Sequence, residues 1–295
     1  MLPLTPDPKS RAATMSANTV PPETRLTALA TEPLCQPRRL GAVNWLGLWE
    51  LYLKEVRRFI KVWLQTIAAP VVTSLLFLAI FALALGGDVR MAGPVSFLEF
   101  LAPGLIMMTM VQNAFANTSS SVIIAKVQGN IVDLLMPPLS PLEITLGLSL
   151  GGVTRGLVVG LVVGVCMLPF VTLHIHHFGY ILFHAVGASL ILSLLGTLGG
   201  VWSEKFDHMA AITNFIITPL SFLSGTFYSI DRLPESFRFL AHINPFFYMI
   251  DGFRYGFIGH ESALPLTGLA VVAATNAVLL AGCYLLVRSG YKLKA

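Results

Sequence analysis

The sequence predicts an all-α polytopic membrane protein, and three observations support this fold class. Of its 295 residues, 55% are hydrophobic and 12% are charged, whereas soluble domains carry about 25% charged residues. The apolar residues form runs long enough to cross a hydrocarbon core of about 30 Å as helices. The formal net charge of +4 is concentrated in a few connections, which indicates the positive-inside bias of membrane proteins rather than a nucleic-acid partner.

The chain begins with a polar tail followed by an amphipathic segment. Residues 1–40 are rich in proline and show no apolar period, so we expect a disordered cytoplasmic tail without a cleavable signal peptide. Residues 41–61 combine aromatic and aliphatic side chains with basic ones at helical spacing. They predict an amphipathic interfacial helix on the inner leaflet, with its cations, Arg58 among them, near lipid phosphates. The alternative is the frayed start of the first span.

A transmembrane domain is predicted over 62–295, with six helices at 62–85, 97–120, 142–172, 180–202, 209–230 and 265–287. Basic residues are concentrated in the first helix, in the connection around Lys126 and at the end of the chain. Both termini are therefore expected in the cytoplasm. The third span is predicted to start at a capping box formed by Ser140 and Glu143. Its repeated glycines allow close helix packing, either within one subunit or at a dimer seam.

Residues 121–139 form the inside connection with room for a helix, between the second and third spans. Gly129 is expected to provide a bend. The apolar stripe of this connection comprises Ile123, Val127, Ile131, Leu134 and Leu135. Its polar contacts are predicted from Lys126, Gln128, Asn130 and Asp133.

The segment 219–261 is too apolar for an exposed loop and too interrupted for a span. Pro219 is expected to kink the fifth helix, and Ser224-Gly225 to break it. Pro234 opens a predicted short helix over 234–241, and Asn244-Pro245 starts a second one that ends at Gly259. Two short re-entrant helices within 231–260, dipping into the outer leaflet, account for both features.

These residues resemble the ABC-2 family of membrane subunits of ATP-binding-cassette transporters. The resemblance covers about 45–290 and is greatest to the bacterial group that includes nodulation-factor, capsule and drug exporters. The stretches that carry it are Pro219 to Gly225, Leu233-Pro234, Asn244-Pro245, Tyr248, Asp251-Gly252-Phe253-Arg254, and Gln128 to Leu135 followed by Pro137 to Ser140.

The resemblance implies a homodimer in the bacterial inner membrane, docked on two copies of a separate ATPase subunit. The exported substrate would be amphipathic: a glycolipid or polysaccharide, a lipid, or a hydrophobic drug. The connection 121–139 would be the coupling helix that contacts the ATPase, with a mere interfacial linker as the alternative. The sequence contains no G-x-x-x-x-G-K-[ST] motif, so we expect no catalytic residues and no bound cofactor, with ATP and Mg²⁺ on the partner.

A transport path needs polar lining, and two helices carry candidates. Asn113, Phe115 and Asn117 on the second span and Asn214, Phe215 and Thr218 on the fifth are predicted to face a translocation cavity. The alternative is that the polar members make hydrogen bonds between helices.

Charged residues inside the membrane are costly and indicate function. Arg155, in the third span, is predicted either to bind an anionic substrate group or to pair with Glu99 or Glu143. Asp251 and Arg254, three residues apart on the second re-entrant helix, are predicted to form an ion pair, with a substrate gate as the alternative. No metal site is predicted, although four histidines lie near the outer ends of the third and fourth spans.

Two other functions remain open from the residues alone. An ion- or proton-coupled secondary transporter would be expected to carry acidic residues inside its spans or two repeated halves. A membrane scaffold without transport activity would have no need of polar stripes within its spans.

Overall fold

The computed structural model describes residues 41–85, 91–92, 95–228, 239, 243–259 and 265–293, and these are mainly helical. The described residues from Val43 onward belong to one compact unit. The predicted tail 1–40 and nearly all of the first predicted re-entrant helix, 234–241, lie outside the described residues.

Ten α-helices follow one another in the described part of the chain. They are α1 (Trp45–Lys61), α2 (Ala69–Leu85), α3 (Phe97–Val127), α4 (Ile131–Leu135), α5 (Pro141–Met167), α6 (Phe178–Trp202), α7 (Phe206–Ile212), α8 (Thr218–Leu223), α9 (Pro245–Ile258) and α10 (Pro265–Ser289). Two π-helical turns, Leu64–Ala68 and Thr213–Ile217, precede α2 and join α7 to α8. A short antiparallel pair, β1 (Met91–Ala92) and β2 (Val95–Ser96), comes before α3.

Five of the described helical stretches are long and apolar enough to cross a membrane: Leu64–Ala84, Phe97–Val127, Pro141–Met167, Phe178–Trp202 and Leu266–Ser289. They coincide with the first four predicted spans and the sixth. The predicted fifth span, 209–230, is instead divided into α7, a π-helical turn and α8, and it ends at Leu223. Pro219 has no N–H to donate to the carbonyl of Phe215, which accounts for an irregular helix here. The six-span count therefore stays a prediction.

The two longest helices begin at capping boxes. At α5 the predicted box is confirmed, since the Ser140 hydroxyl accepts from the Glu143 N–H and the Glu143 carboxylate accepts from the Ser140 N–H. A second box, between Ser96 and Glu99, starts α3 in the same way. Each box satisfies two of the backbone donors that a helix N-terminus leaves without partners.

The glycines of α5 contact helices of the same chain, as the alternative of packing within one subunit predicts. A Cβ on Gly152 would lie 3.0 Å from the Ala114 carbonyl of α3, and one on Gly156 would lie 2.9 Å from the Ser189 hydroxyl of α6. Backbones approach this closely only where side chains are absent. Helix α3, buried over most of its length, therefore lies at the centre between α5 and α6.

Helix α1 is amphipathic as predicted, but one of its faces packs against protein. Trp45 and Trp49 are 73% and 55% exposed, whereas Leu51, Glu55 and Phe59 are buried. The Leu51 side chain lies where a Cβ on Gly147 of α5 would be, 2.7 Å away at its nearest atom. Because Leu51, Glu55 and Phe59 recur every four residues, they form one stripe that docks the helix on the bundle.

Candidate functional site

The connection between α3 and α5 is shorter than predicted, and it is bonded to α1. Helix α3 continues to Val127, and α4 comprises only five residues, so the predicted helix over 121–139 is wrong in extent. Gly129 supplies the expected bend, with a φ of +74° that favours glycine. Asn44, the N-cap of α1, donates its amide N–H to Glu143 at 2.6 Å and its side-chain N–H to the Pro138 carbonyl at 3.3 Å. The connection is thus attached to three helices.

The apolar stripe predicted on this connection is divided between core and surface. Ile131 and Leu134 are each 6% exposed and pack in a core cluster with Leu51 of α1. The exposed face of α4 and its flanks, which we call the α4 surface, comprises Gln128, Gly129, Asn130, Val132, Asp133, Leu135 and Met136. This surface combines apolar atoms with amide and carboxylate groups. Leu134 is corrected from a contact residue to a core residue.

Lys126 also has a role other than the predicted one. Its ammonium donates to the carbonyl oxygens of Val201 and Ser203, at 2.7 and 2.5 Å. These carbonyls lie at the C-terminal end of α6, where unpaired carbonyls and the helix dipole favour a cation. Lys126 therefore joins the ends of α3 and α6.

A buried polar cluster connects α1 to α3. The Glu55 carboxylate is fully buried and forms a 2.9 Å ion pair with Arg58, one turn further along α1. It also accepts a hydrogen bond of 2.6 Å from the Ser121 hydroxyl and one of 3.4 Å from the Asn117 amide. Arg58 in turn donates to the Asn117 carbonyl at 2.6 Å. Arg58 thus points from α1 toward α3, and not outward from the bundle as an interfacial helix predicts.

The sequence pattern does not single out Glu55, although a signal is present. Glu55 falls between Leu51 and Phe59 at a spacing of four, so the stripe that buries those two side chains also buries the carboxylate. An acid on a buried stripe needs a cation and hydrogen-bond donors. The adjacent arginine and the polar run on α3 supply both.

Arg155 contacts α3 without pairing to a carboxylate. Its guanidinium donates to the Asn113 side-chain oxygen at 2.9 Å. Glu99 and Glu143, its predicted partners, are used at the capping boxes of α3 and α5. Between the described residues the ion pairs are Glu55–Arg58 and Glu204–Lys292, so the predicted carboxylate pair of Arg155 is wrong.

The predicted polar stripes do not line a common cavity within one chain. Asn113 and Asn117 are 7% and 0% exposed and are bonded to α5 and α1, as the hydrogen-bonding alternative predicts. The half-exposed uncharged polar side chains of α3 are Thr109, Gln112, Ser120 and Ser121. On the other stripe Asn214 is exposed, Thr218 is half-buried and Phe215 is 81% exposed.

An apolar cleft of about 780 Å³ lies between α6 and the α7–α8 segment. Phe115 of α3 reaches this cleft, as do Leu195 and Trp202 of α6 and Ile216 of the π-helical turn. The remaining lining residues are Leu198, Gly199, Ile212, Ile217, Leu220, Leu223, Ile243, Asn244, Pro245 and Phe246. A cleft of this volume, with apolar walls and few polar groups, is typical of sites for apolar ligand parts.

Helix α9 is the second predicted re-entrant helix, and its predicted caps are confirmed. The Asn244 side chain accepts from the Phe246 N–H, and Gly259 ends the helix with a φ of +73°. Arg254 donates to the carbonyls of Phe100, Gly225 and Thr226, at 3.1, 3.0 and 3.5 Å. These contacts, not an ion pair with Asp251, fasten α9 to the start of α3. Whether α9 dips into the membrane from outside stays a prediction.

Three histidines between α5 and the second turn of α6 make structural contacts. The backbone N–H groups of His176 and His177 donate to the Gly256 carbonyl, each at 2.9 Å. His184 is fully buried, with its Nδ1 atom 2.9 Å from the Tyr180 carbonyl. Within the described ranges no three His, Cys, Asp or Glu side chains are grouped as metal ligands would be.

An exposed ion pair follows α6. Lys292 donates to Glu204 at 2.8 Å and lies 5.6 Å from the Trp202 ring centre. The hydrogen bond and the charge of Lys292 lower the pKa of the Glu204 carboxyl below its ordinary value. The pair holds the C-terminal residues against the end of α6.

Comparison with known proteins identifies related sequences over most of the chain. A model of the ABC-2 type transporter family matches residues 47–258. The inner membrane transport permease YadH of Escherichia coli K12 is 37% identical over 251 residues, covering 85% of this chain and 98% of the relative. Nodulation protein J of Rhizobium leguminosarum bv. viciae is 25% identical over 226 residues, covering 76% of this chain and 85% of the relative.

Proposed function

This chain belongs to the ABC-2 type transporter family, and from that premise we propose that it forms the membrane channel of an exporter driven by a separate ATPase subunit. The chain is a membrane transport component with several apolar helices. The proposal adds the direction of transport, the amphipathic substrate and the ATPase as the source of energy. It also adds two copies of the ATPase subunit, which carry ATP and Mg²⁺. The proposed location is the bacterial inner membrane, which the name of the Escherichia coli relative supports.

The α4 surface is the observation that carries the proposal. Val132 and Met136 are 49% and 76% exposed beside the Asp133 carboxylate. Apolar atoms surrounded by polar groups are typical of protein docking sites. In the predicted orientation this surface faces the cytoplasm, where a nucleotide-hydrolysing subunit would bind.

The attachments of the α4 surface suit the transmission of force. Ile131 and Leu134 anchor it in the core, and Asn44 ties the same connection to α1. Packed interiors resist compression and move as units. A displacement of α4 by the ATPase would therefore move the inner ends of α1, α3 and α5 together.

The cleft and the exposed π-helical turn support the substrate class and the dimer. A volume of about 780 Å³ with apolar walls would accept the apolar part of an amphipathic substrate. Phe215, 81% exposed beside Asn214, lies in the π-helical turn between α7 and α8. A second copy of this chain would cover it in the proposed homodimer.

A charge reversal with a matched control tests the coupling surface. Asp133→Arg is expected to reduce co-purification of the ATPase subunit from the native membrane at least tenfold, because it places a cation at the centre of the docking surface. Asp207→Arg makes the same change at an exposed aspartate of the other inner connection and is expected to leave co-purification unchanged.

Two outcomes would contradict the proposed function. If Asp133→Arg retains the ATPase at the wild-type level, the α4 surface is not the docking site. If the purified chain in proteoliposomes drives uphill transport on a proton gradient without nucleotide, the secondary-transporter alternative is correct.

A further inference from the structure

Two arginines reach α3 from opposite neighbours at positions one helical turn apart. Arg58, near the end of α1, donates to the Asn117 side-chain oxygen at 3.1 Å. Arg155, in the middle of α5, donates to the Asn113 side-chain oxygen at 2.9 Å. Asn113 and Asn117 are four residues apart and lie on the same face of α3. The two guanidinium groups therefore lie in one region between three helices.

The charges of this region do not balance. Glu55 supplies the one carboxylate in contact with it among the described residues, and its two oxygens are used by Arg58, Ser121 and Asn117. No ion pair between described residues includes Arg155. Two cations and one anion leave one positive charge uncompensated. An uncompensated charge within a membrane helix is costly and marks a functional site by default.

Both guanidinium groups also keep a donor without an acceptor. The Nε atoms of Arg58 and Arg155 are buried and have no hydrogen-bond partner in the described part of the chain. Buried donors in native proteins are nearly always paired, so each of these two donors would be satisfied by an oxygen of a bound ligand or of water. Arg155 is half-buried and Arg58 retains 28% of its side-chain exposure. The region is therefore open to a ligand at its edge.

The missing partner is an acceptor with negative charge and more than one oxygen. Guanidinium groups bind the phosphate group through parallel N–H donors, which adds geometric fit to charge. The exposed side of α1 carries Lys54, Arg57 and Lys61, which would attract anionic headgroups to this end of the bundle. Trp45 and Trp49, exposed on the same helix, are typical of the headgroup level.

We propose that Arg155, Arg58 and Asn113 form a phosphate site between α1, α3 and α5, occupied by the phosphate group of an amphiphile in the inner leaflet. The amphiphile is a membrane phospholipid or the exported substrate itself. The site rests on the proposed placement of α1 at the inner leaflet and not on the ATPase contact. It rests on the proposed export function only where the substrate supplies the phosphate.

Lipid binding to the purified chain tests the site. The delipidated protein is titrated with phosphatidylglycerol, with diacylglycerol of the same acyl chains, and with inorganic phosphate, and bound ligand is measured by native mass spectrometry. We expect phosphatidylglycerol to bind and diacylglycerol not to bind. Competition by inorganic phosphate would identify a site for the free anion, and its failure to compete would identify a lipid headgroup site.

Variants at matched arginines complete the test. Arg155→Gln is expected to weaken phosphatidylglycerol binding about 10- to 100-fold, because the lipid phosphate loses one charge-assisted hydrogen-bonding partner. Arg155→Lys keeps the charge and is expected to bind with intermediate affinity. Arg288→Gln removes an exposed arginine at the end of α10, outside the site, and is expected to bind as the wild type does. Equal binding by Arg155→Gln and wild type, or equal binding of diacylglycerol, would overturn the proposal.

The result separates this site from the proposed function. Co-purification of the ATPase depends on Asp133 and is expected to persist in Arg155→Gln. Loss of lipid binding with retained ATPase, or the reverse, would therefore show which of the two proposals fails.

Discussion

Removal of the Glu55 carboxylate is the perturbation for which the structure allows the clearest magnitude. Glu55→Gln keeps the size of the side chain but leaves Arg58 without its ion-pair partner at 2.9 Å. Breaking a buried ion pair on one side costs about 3–5 kcal/mol. Arg58 keeps 28% of its side-chain exposure, so we expect a loss in the free energy of unfolding near the lower end, about 3 kcal/mol.

Reversible unfolding in mixed micelles, followed by circular dichroism, measures this loss. Glu50→Gln makes the same change at an exposed position of α1 and is expected to alter stability by less than about 0.5 kcal/mol. The double variant Glu55→Gln/Arg58→Gln removes both charges and is expected to lose less stability than Glu55→Gln alone, since Arg58 is no longer left without its partner. Equal stability of Glu55→Gln and Glu50→Gln would refute the reasoning.

Three further predictions concern packing, a helix end and pH. Gly152→Ala is expected to destabilise the fold by about 1–3 kcal/mol, because its Cβ would lie 3.0 Å from a carbonyl of α3. The control is Gly282→Ala, whose Cβ would meet nothing within 4 Å. It is expected to be neutral or stabilising in the same unfolding assay. Lys126→Met is expected to cost about 1–3 kcal/mol by leaving carbonyls of α6 unpaired, while ATPase co-purification is retained. Lys292 lowers the pKa of the Glu204 carboxyl, so the ion pair stabilises the fold at pH above the ordinary value of 4.5. This contribution is lost as the pH falls through the lowered pKa. In thermal melting measured over a series of pH values, Lys292→Gln is expected to lack this loss of stability at acidic pH.

Local signals in the sequence predict the helices and several of their ends. The capping box of Ser140 and Glu143 and the ends of α9 at Asn244 and Gly259 are confirmed, because each depends on side chains within a few residues of the helix terminus. The spans are predicted by apolar length alone, which the bilayer imposes. The fifth span is the exception, since Pro219 predicts an irregular helix but not the π-helical turn Thr213–Ile217 that comes before it.

Partners distant in the sequence are not predictable in this way. Asn117 is 62 residues from Glu55 and Asn113 is 42 residues from Arg155. Both asparagines suit a water-filled path as well as a helix interface, because an amide satisfies either environment. Only the packing of α1 and α5 on α3 decides that they face protein.

The sequence by itself therefore determined the membrane class, the helical segments with their caps, and the resemblance to a transporter family. Those features follow from hydrophobicity and from hydrogen bonds between residues close in the chain. The tertiary structure alone decided that Lys126 and Leu134 support the fold, that Asp133 lies on an exposed surface, and that Arg155 contacts Asn113 rather than a carboxylate. These outcomes depend on which helix faces meet, and that is set by packing between segments far apart in the sequence.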